Sequence, residues 1–130
     1  MSDGAQRALV AGHADFAAGV VSAVEQITGR GSVLMPIQVR GLCGADIEAL
    51  LKESLLTSGA LVIFTDLHAG SCTMAARRVL REVPGATLVA GANLPMLLDF
   101  VLSTNPDASE AAKLSAERGR AAVSVFEGKQ

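Results

Sequence analysis

The sequence contains two histidines, and one of them, His13, stands at a joint. A short apolar run, Ala8 to Ala11, reaches Gly12 and His13, and a helical pattern begins directly afterwards. A second apolar run, ALVIFTD from Ala60 to Asp66, ends on a carboxylate. If these two runs are neighbouring strands, the imidazole and the carboxylate can meet. A carboxylate that accepts a hydrogen bond from one imidazole nitrogen fixes the tautomer and leaves the other nitrogen lone-paired and nucleophilic. It also stabilises the imidazolium that forms once that second nitrogen is bonded. A histidine that carries a phosphoryl group needs this arrangement, with the bonded nitrogen facing away from Asp66.

LHAGSC follows Asp66 and leads into a helix. Ala69-Gly70-Ser71 is thus a small loop at a helix N-terminus, where unpaired backbone N–H groups and the helix dipole favour an anion. Ser71 could add a hydroxyl donor. Ala14 leads into the helix after His13, which offers a second set of amides. An anion on His13 would sit between two helix N-termini. Each residue also has a plainer reading: His13 as a structural histidine, Asp66 as a turn or cap, Ser71 as an N-cap. Their meeting at one sheet edge favours the functional reading.

An alternation of short strands and helices must position these groups. RALVAG (Arg7 to Gly12) reads as a buried strand. Phe16, Val20, Val21, Val24 and Ile27 then share one helical face, and Thr28-Gly29 ends that helix. SVLMPIQV is rich in strand formers, but Pro36 cannot donate to a ladder, so this strand belongs at an edge. Asp46 is a candidate N-cap for a helix carrying Ile47, Leu50, Leu51 and Leu55. ALVIFTD is the third strand. Cys72, Ala75, Ala76, Val79 and Leu80 mark a third helix that ends before Pro84. GATLVAG is a fourth strand, and Asn93 caps a helix with Pro95 in its first turn. After the loop TNPDAS a last helix runs from about Glu110 to Arg118, and RAAVSVF reads equally as helix or strand. The order β-α-β-α-β-α-β-α predicts a doubly wound α/β fold, and the absence of linkers or repeats predicts one domain over residues 1–130.

Composition narrows the function classes. Half of the 130 residues are apolar and the mean hydropathy is +0.40. No apolar run approaches the roughly 18–20 residues that span a bilayer, and the N-terminus does not resemble a secretory signal. High hydropathy in short runs fits strands covered on both faces. There is no Trp or Tyr and the net charge is −2, which speaks against nucleic-acid binding. Cys43 and Cys72 form no CxxC and suggest no disulfide framework, as expected of a cytoplasmic protein without a cofactor.

Three other chemistries compete for the same residues. His13, Asp66, His68 and Cys72 could converge on Zn²⁺. Cys72, at a helix N-terminus, could be a nucleophile paired with His13. The chain could also be a binding module whose histidine is never phosphorylated. Cys43 reads as a loop or core residue, and Met35, Met74 and Met96 read as core fillers. Arg40 and the Arg77-Arg78 pair read as solvated surface or as an attraction for an acidic or phosphorylated partner.

The segments GHADFAAG, FTDLHAGS and GANLPMLL, with a weaker ERGR near the end, resemble the IIA phosphocarrier domain of the mannose family of the bacterial sugar phosphotransferase system. The resemblance covers nearly the whole chain in order and spacing. It implies a three-layer α/β/α fold with a four-stranded parallel sheet, and a C-terminal antiparallel strand, RAAVSVF, exchanged in a homodimer. It implies that His13 accepts a phosphoryl group from the phosphocarrier protein HPr and passes it to a separate IIB component for sugar uptake. Asp66 is then the orienting aspartate, and Gly70 and Ser71 lie beside the phosphoryl group. A freestanding IIA domain of this type can instead be a regulator whose phosphorylation signals sugar or phosphoenolpyruvate status. The chain departs from the family pattern at Ala14 and Ala69, where glycines are usual, at Cys72, where proline is common, and at His68. Both alanines place a methyl near the expected phosphate seat.

Overall fold

The computed structural model of the chain describes residues 5–129. Four strands, β1 (Ala8–Ala11), β2 (Leu34–Ile37), β3 (Val62–Thr65) and β4 (Thr87–Ala90), form one sheet in the order β2-β1-β3-β4. All three pairings are parallel. The helices are α1 (Phe16–Thr28), α2 (Gly44–Ser58), α3 (Ser71–Leu80), α4 (Leu94–Leu102) and α5 (Ala108–Ala121). Each predicted strand is present but shorter than its apolar run. The ends of those runs lie in the turns that aim the chain at the next helix.

Side-chain alternation divides the core into two layers. Ala8 and Val10 of β1, with Val62 and Phe64 of β3, face α1, α4 and α5. Leu9, Ala11 and Ile63 face α2 and α3. The two central strands are wholly buried, which is why their sequences run apolar without alternation. Pro36 lies on the edge strand β2, as its missing N–H demands. Phe64 and Phe100 meet edge to face, centroids 5.1 Å apart, and burial of each contributes roughly 1.5–3 kcal/mol.

Several helix ends differ from expectation. Cys43, not Asp46, is the N-cap of α2, and Asp46 lies in the first turn, where it accepts from the Cys43 thiol at 3.3 Å. A carboxylate there still favours the positive end of the helix. Asn93 caps α4 as predicted, its Oδ1 accepting the Met96 N–H at 3.0 Å. Asp107 caps α5, so that helix begins earlier than Glu110 and continues past Arg118 to Ala121. Ile27 and Met74 are exposed rather than core residues, while Met96 is buried. The stretch 123–129 has no regular structure and is exposed.

Candidate functional site

β1 and β3 are adjacent, paired Ala11 to Thr65, so their carboxyl ends deliver His13 and Asp66 to one place. His13 Nδ1 lies 2.8 Å from Asp66 Oδ2, and the His13 backbone N–H donates to the same oxygen, also at 2.8 Å. The carboxylate is nearly covered, its side chain 11% exposed, while the imidazole is 57% exposed. Burial pushes the Asp66 carboxyl up. The two hydrogen bonds from His13 and the charge of the imidazolium outweigh that and hold it below the ordinary carboxylate range. Facing an ionised Asp66, a neutral imidazole carries its proton on Nδ1, which leaves Nε2 with the lone pair.

Gly12 makes the close approach feasible. A Cβ there would stand 2.8 Å from Asp66 Cγ and 2.7 Å from a ring carbon of Phe16. The next turn is strained: Ala14 has φ 47°, a left-handed conformation that costs an L-residue roughly 1–2 kcal/mol. That strain is local to the histidine's own loop.

The second loop abuts the imidazole. A Cβ on Gly70 would be 3.0 Å from His13 Cε1, so the ring rests against the backbone that opens α3. Gly70 is the N-cap, and Ser71 is the first helical residue rather than the cap. The first bond of α3 joins the Met74 N–H to the Gly70 carbonyl, so the amides of Ser71 to Thr73 precede it at the helix's positive end. Ala69 and Ser71 are exposed and Gly70 is half-buried. The arrangement can hold an anion bonded to Nε2.

The competing chemistries fare worse. Among the described residues no three His, Cys, Asp or Glu side chains are placed to share a metal ion, so His13, Asp66, His68 and Cys72 do not converge. Cys72 is 1% exposed. Burial, and then the charge of Asp66, raise its thiol pKa, the reverse of what a nucleophile needs. Arg78 pairs with Glu48 at 2.7 Å and Arg40 with Asp15 at 2.6 Å. Asp15 drew no attention in the sequence because its partner is 25 residues away. Thr65 and Thr73 were also missed. They are buried and hydrogen-bonded to each other, and nothing in one dimension pairs them.

The chain matches the family model described as the PTS system fructose IIA component over residues 7–117. Among curated proteins none matches significantly. Solved structures that resemble it include a mannose/sorbose-specific IIA subunit from Enterococcus faecalis, 21% identical with a TM-score of 0.80, covering 96% of this chain and 97% of that one. Another is the EIIA component from Streptococcus agalactiae, 22% identical with a TM-score of 0.74, covering 87% and 93%. A third is a IIA protein associated with a fucose utilisation operon of Streptococcus pneumoniae, 22% identical with a TM-score of 0.67, covering 86% and 89%. At these identities the structural likeness is one of fold, which agrees with the three-layer parallel architecture, and no described helix is long and apolar enough to cross a membrane. With the family match spanning most of its length, the chain belongs to the mannose-type IIA components of the sugar phosphotransferase system, whose work is phosphoryl transfer.

Proposed function

We infer that His13 is the phosphorylated residue, that HPr is the donor and that a separate IIB component is the acceptor. The observation that carries this reading is the 2.8 Å contact of Asp66 Oδ2 with Nδ1 of an exposed imidazole, which favours one tautomer. The Nε2 lone pair attacks the phosphorus of the incoming phosphoprotein. The bond from phosphorus to the donor breaks, and its electron pair stays with the donor. His13 becomes an imidazolium with the phosphoryl group on Nε2 and the proton still on Nδ1, a cation that Asp66 stabilises. Ala14, Ala69, Gly70 and Ser71 border the phosphoryl oxygens, which meet the backbone amides of α3. Transfer to IIB reverses these steps. Leu67 and Met74, 52% and 41% exposed, give the rim of this site apolar surface suited to a protein partner.

The test is phosphorylation itself. Incubated with phosphoenolpyruvate, enzyme I and cognate HPr, the protein gains one acid-labile phosphate by intact mass, and His13→Ala gains none. A phosphate retained by His13→Ala would place the chemistry elsewhere.

The chain acts as one cytoplasmic IIA domain over residues 1–130 and as a homodimer. The edge strand β4 is only half-buried, and beside it a groove runs past Val89, Met96, Ala116 and Val123. Val123, Val125 and Phe126 are 72%, 83% and 91% exposed, apolar surface of the kind that a partner's sheet edge covers. Sedimentation at micromolar concentration is expected to give the mass of two chains, and a chain ending at Ala122 the mass of one. Two chains without the tail would refute strand exchange.

A further inference from the structure

Two buried hydroxyls with no part in the chemistry above bracket Asp66. Thr65, the last residue of β3, is 0% exposed, and Thr73, in the first turn of α3, is 1% exposed. Their Oγ1 atoms are 2.6 Å apart, and the Thr73 hydroxyl donates to the backbone carbonyl of Leu67. A hydroxyl has one proton. The Thr73 proton goes to Leu67, so the proton between the two oxygens belongs to Thr65. The chain of bonds therefore runs one way, from Thr65 to Thr73 to the Leu67 carbonyl. The Thr65 carbonyl in turn accepts the N–H groups of Gly91 and Ala92, at 2.9 and 2.8 Å.

The residues on both sides of Asp66 are thus tied to rigid elements, whereas Asp66 Oδ1 is buried without a hydrogen-bond partner. Apart from the two His13 bonds to Oδ2, the aim of the carboxylate comes from the backbone that carries it. Two valines would fill the same space in the core, and replacing a hydrogen-bonded pair by apolar groups of equal shape is close to neutral. What they would lose is the tie to Leu67. We propose that Thr73, backed by Thr65, is a positioning residue for the His13–Asp66 pair. It holds the loop from Asp66 to Gly70 at the height where Oδ2 meets Nδ1 and the Gly70 backbone meets the ring. The proposal rests on the phosphocarrier reading of His13.

The test combines a spectroscopic and a kinetic readout on Thr73→Val, Thr73→Ser and Thr65→Val. ¹⁵N NMR of the imidazole in the unphosphorylated protein reports the tautomer without any donor. Wild type and Thr73→Ser are expected to show protonated Nδ1 and lone-paired Nε2, and Thr73→Val a mixture of the two tautomers. Phosphorylation by phospho-HPr is expected to fall about 10–100-fold in Thr73→Val, the cost of a misplacement of about 1 Å, with Thr73→Ser restoring it. Thr65→Val keeps the tie to Leu67, so its loss is smaller. A folded Thr73→Val with wild-type nitrogen shifts overturns the proposal, as does a Thr73→Ser that fails to rescue. Should Thr73→Val not fold, Thr73→Ala, which also lacks the hydroxyl, decides, and an unaltered imidazole there overturns it. A wild-type protein that HPr never phosphorylates refutes the carrier reading instead, and the imidazole spectra still judge the positioning role.

Discussion

Asp66→Asn is expected to slow phosphoryl transfer to and from His13 on the order of 100-fold or more, because an amide can present its NH₂ to Nδ1 and stabilise the wrong tautomer. The proton then resides on Nε2, the nitrogen that must attack. The phosphoimidazolium also loses the charge that stabilises it, so the phosphorylated form is shorter-lived. Rapid-quench kinetics with phospho-HPr measures the rate, and unchanged rates in both directions would refute the orienting role. The same variant carries a pH signature. The folded state holds the Asp66 carboxyl below its ordinary range. Its contribution to stability is therefore complete above the unfolded value of about 3.9 and is lost as pH falls through the folded value. Asp66→Asn is expected to be less stable than wild type at neutral pH by about 1.5–3 kcal/mol, the worth of hydrogen bonds to a charged group. Denaturant midpoints compared at neutral pH and in strong acid should show the gap closing. A gap that persists in acid would mean that something other than the carboxylate's charge is lost.

Gly12→Ala is expected to damage both stability and transfer. The new Cβ would fall 2.9 Å from Asp66 Oδ2, the atom that receives both His13 bonds, and 2.7 Å from the Phe16 ring. One of the three must move. Overpacking of this kind costs about 1–3 kcal/mol, and a shift of about 1 Å between carboxylate and imidazole can cost 100-fold in rate. A denaturant titration and the transfer rate check both parts. A variant as stable and as fast as wild type would mean that the approach of β1 to Asp66 is looser than the geometry indicates. By contrast, a methyl at Gly19 meets no atom within 4 Å, so Gly19→Ala serves as the control.

The elements and the site differ in how far they can be read in one dimension. Strand and helix periodicities are local, so β1, β3 and the apolar faces of α2 and α3 were legible from runs such as ALVIF and from Ile47, Leu51 and Leu55. Pro36 placed its strand at an edge through one missing N–H. His13 and Asp66 were legible as ends of strands, since chemistry in a parallel sheet gathers at the carboxyl ends. The details of capping were less so. Asp46 and Cys43 are three residues apart, and which of them caps depends on where the chain leaves the edge of the sheet. Ile27 sits where periodicity predicts burial and Met74 is of a residue type that fills cores, yet both are exposed.

By itself the sequence determined the alternation of strands and helices, the family to which the chain belongs and the identity of the histidine and aspartate at the strand ends. Pattern and residue type suffice for these because they depend on neighbours a few positions away. Only the tertiary structure decided that β1 lies beside β3, and hence that Nδ1 rather than Nε2 meets the carboxylate. It alone put Gly70 against the imidazole, closed Cys72 off from solvent and joined Thr65 through Thr73 to the loop of Asp66. Each of these is a contact between segments that only the sheet's strand order and its packing layers bring together.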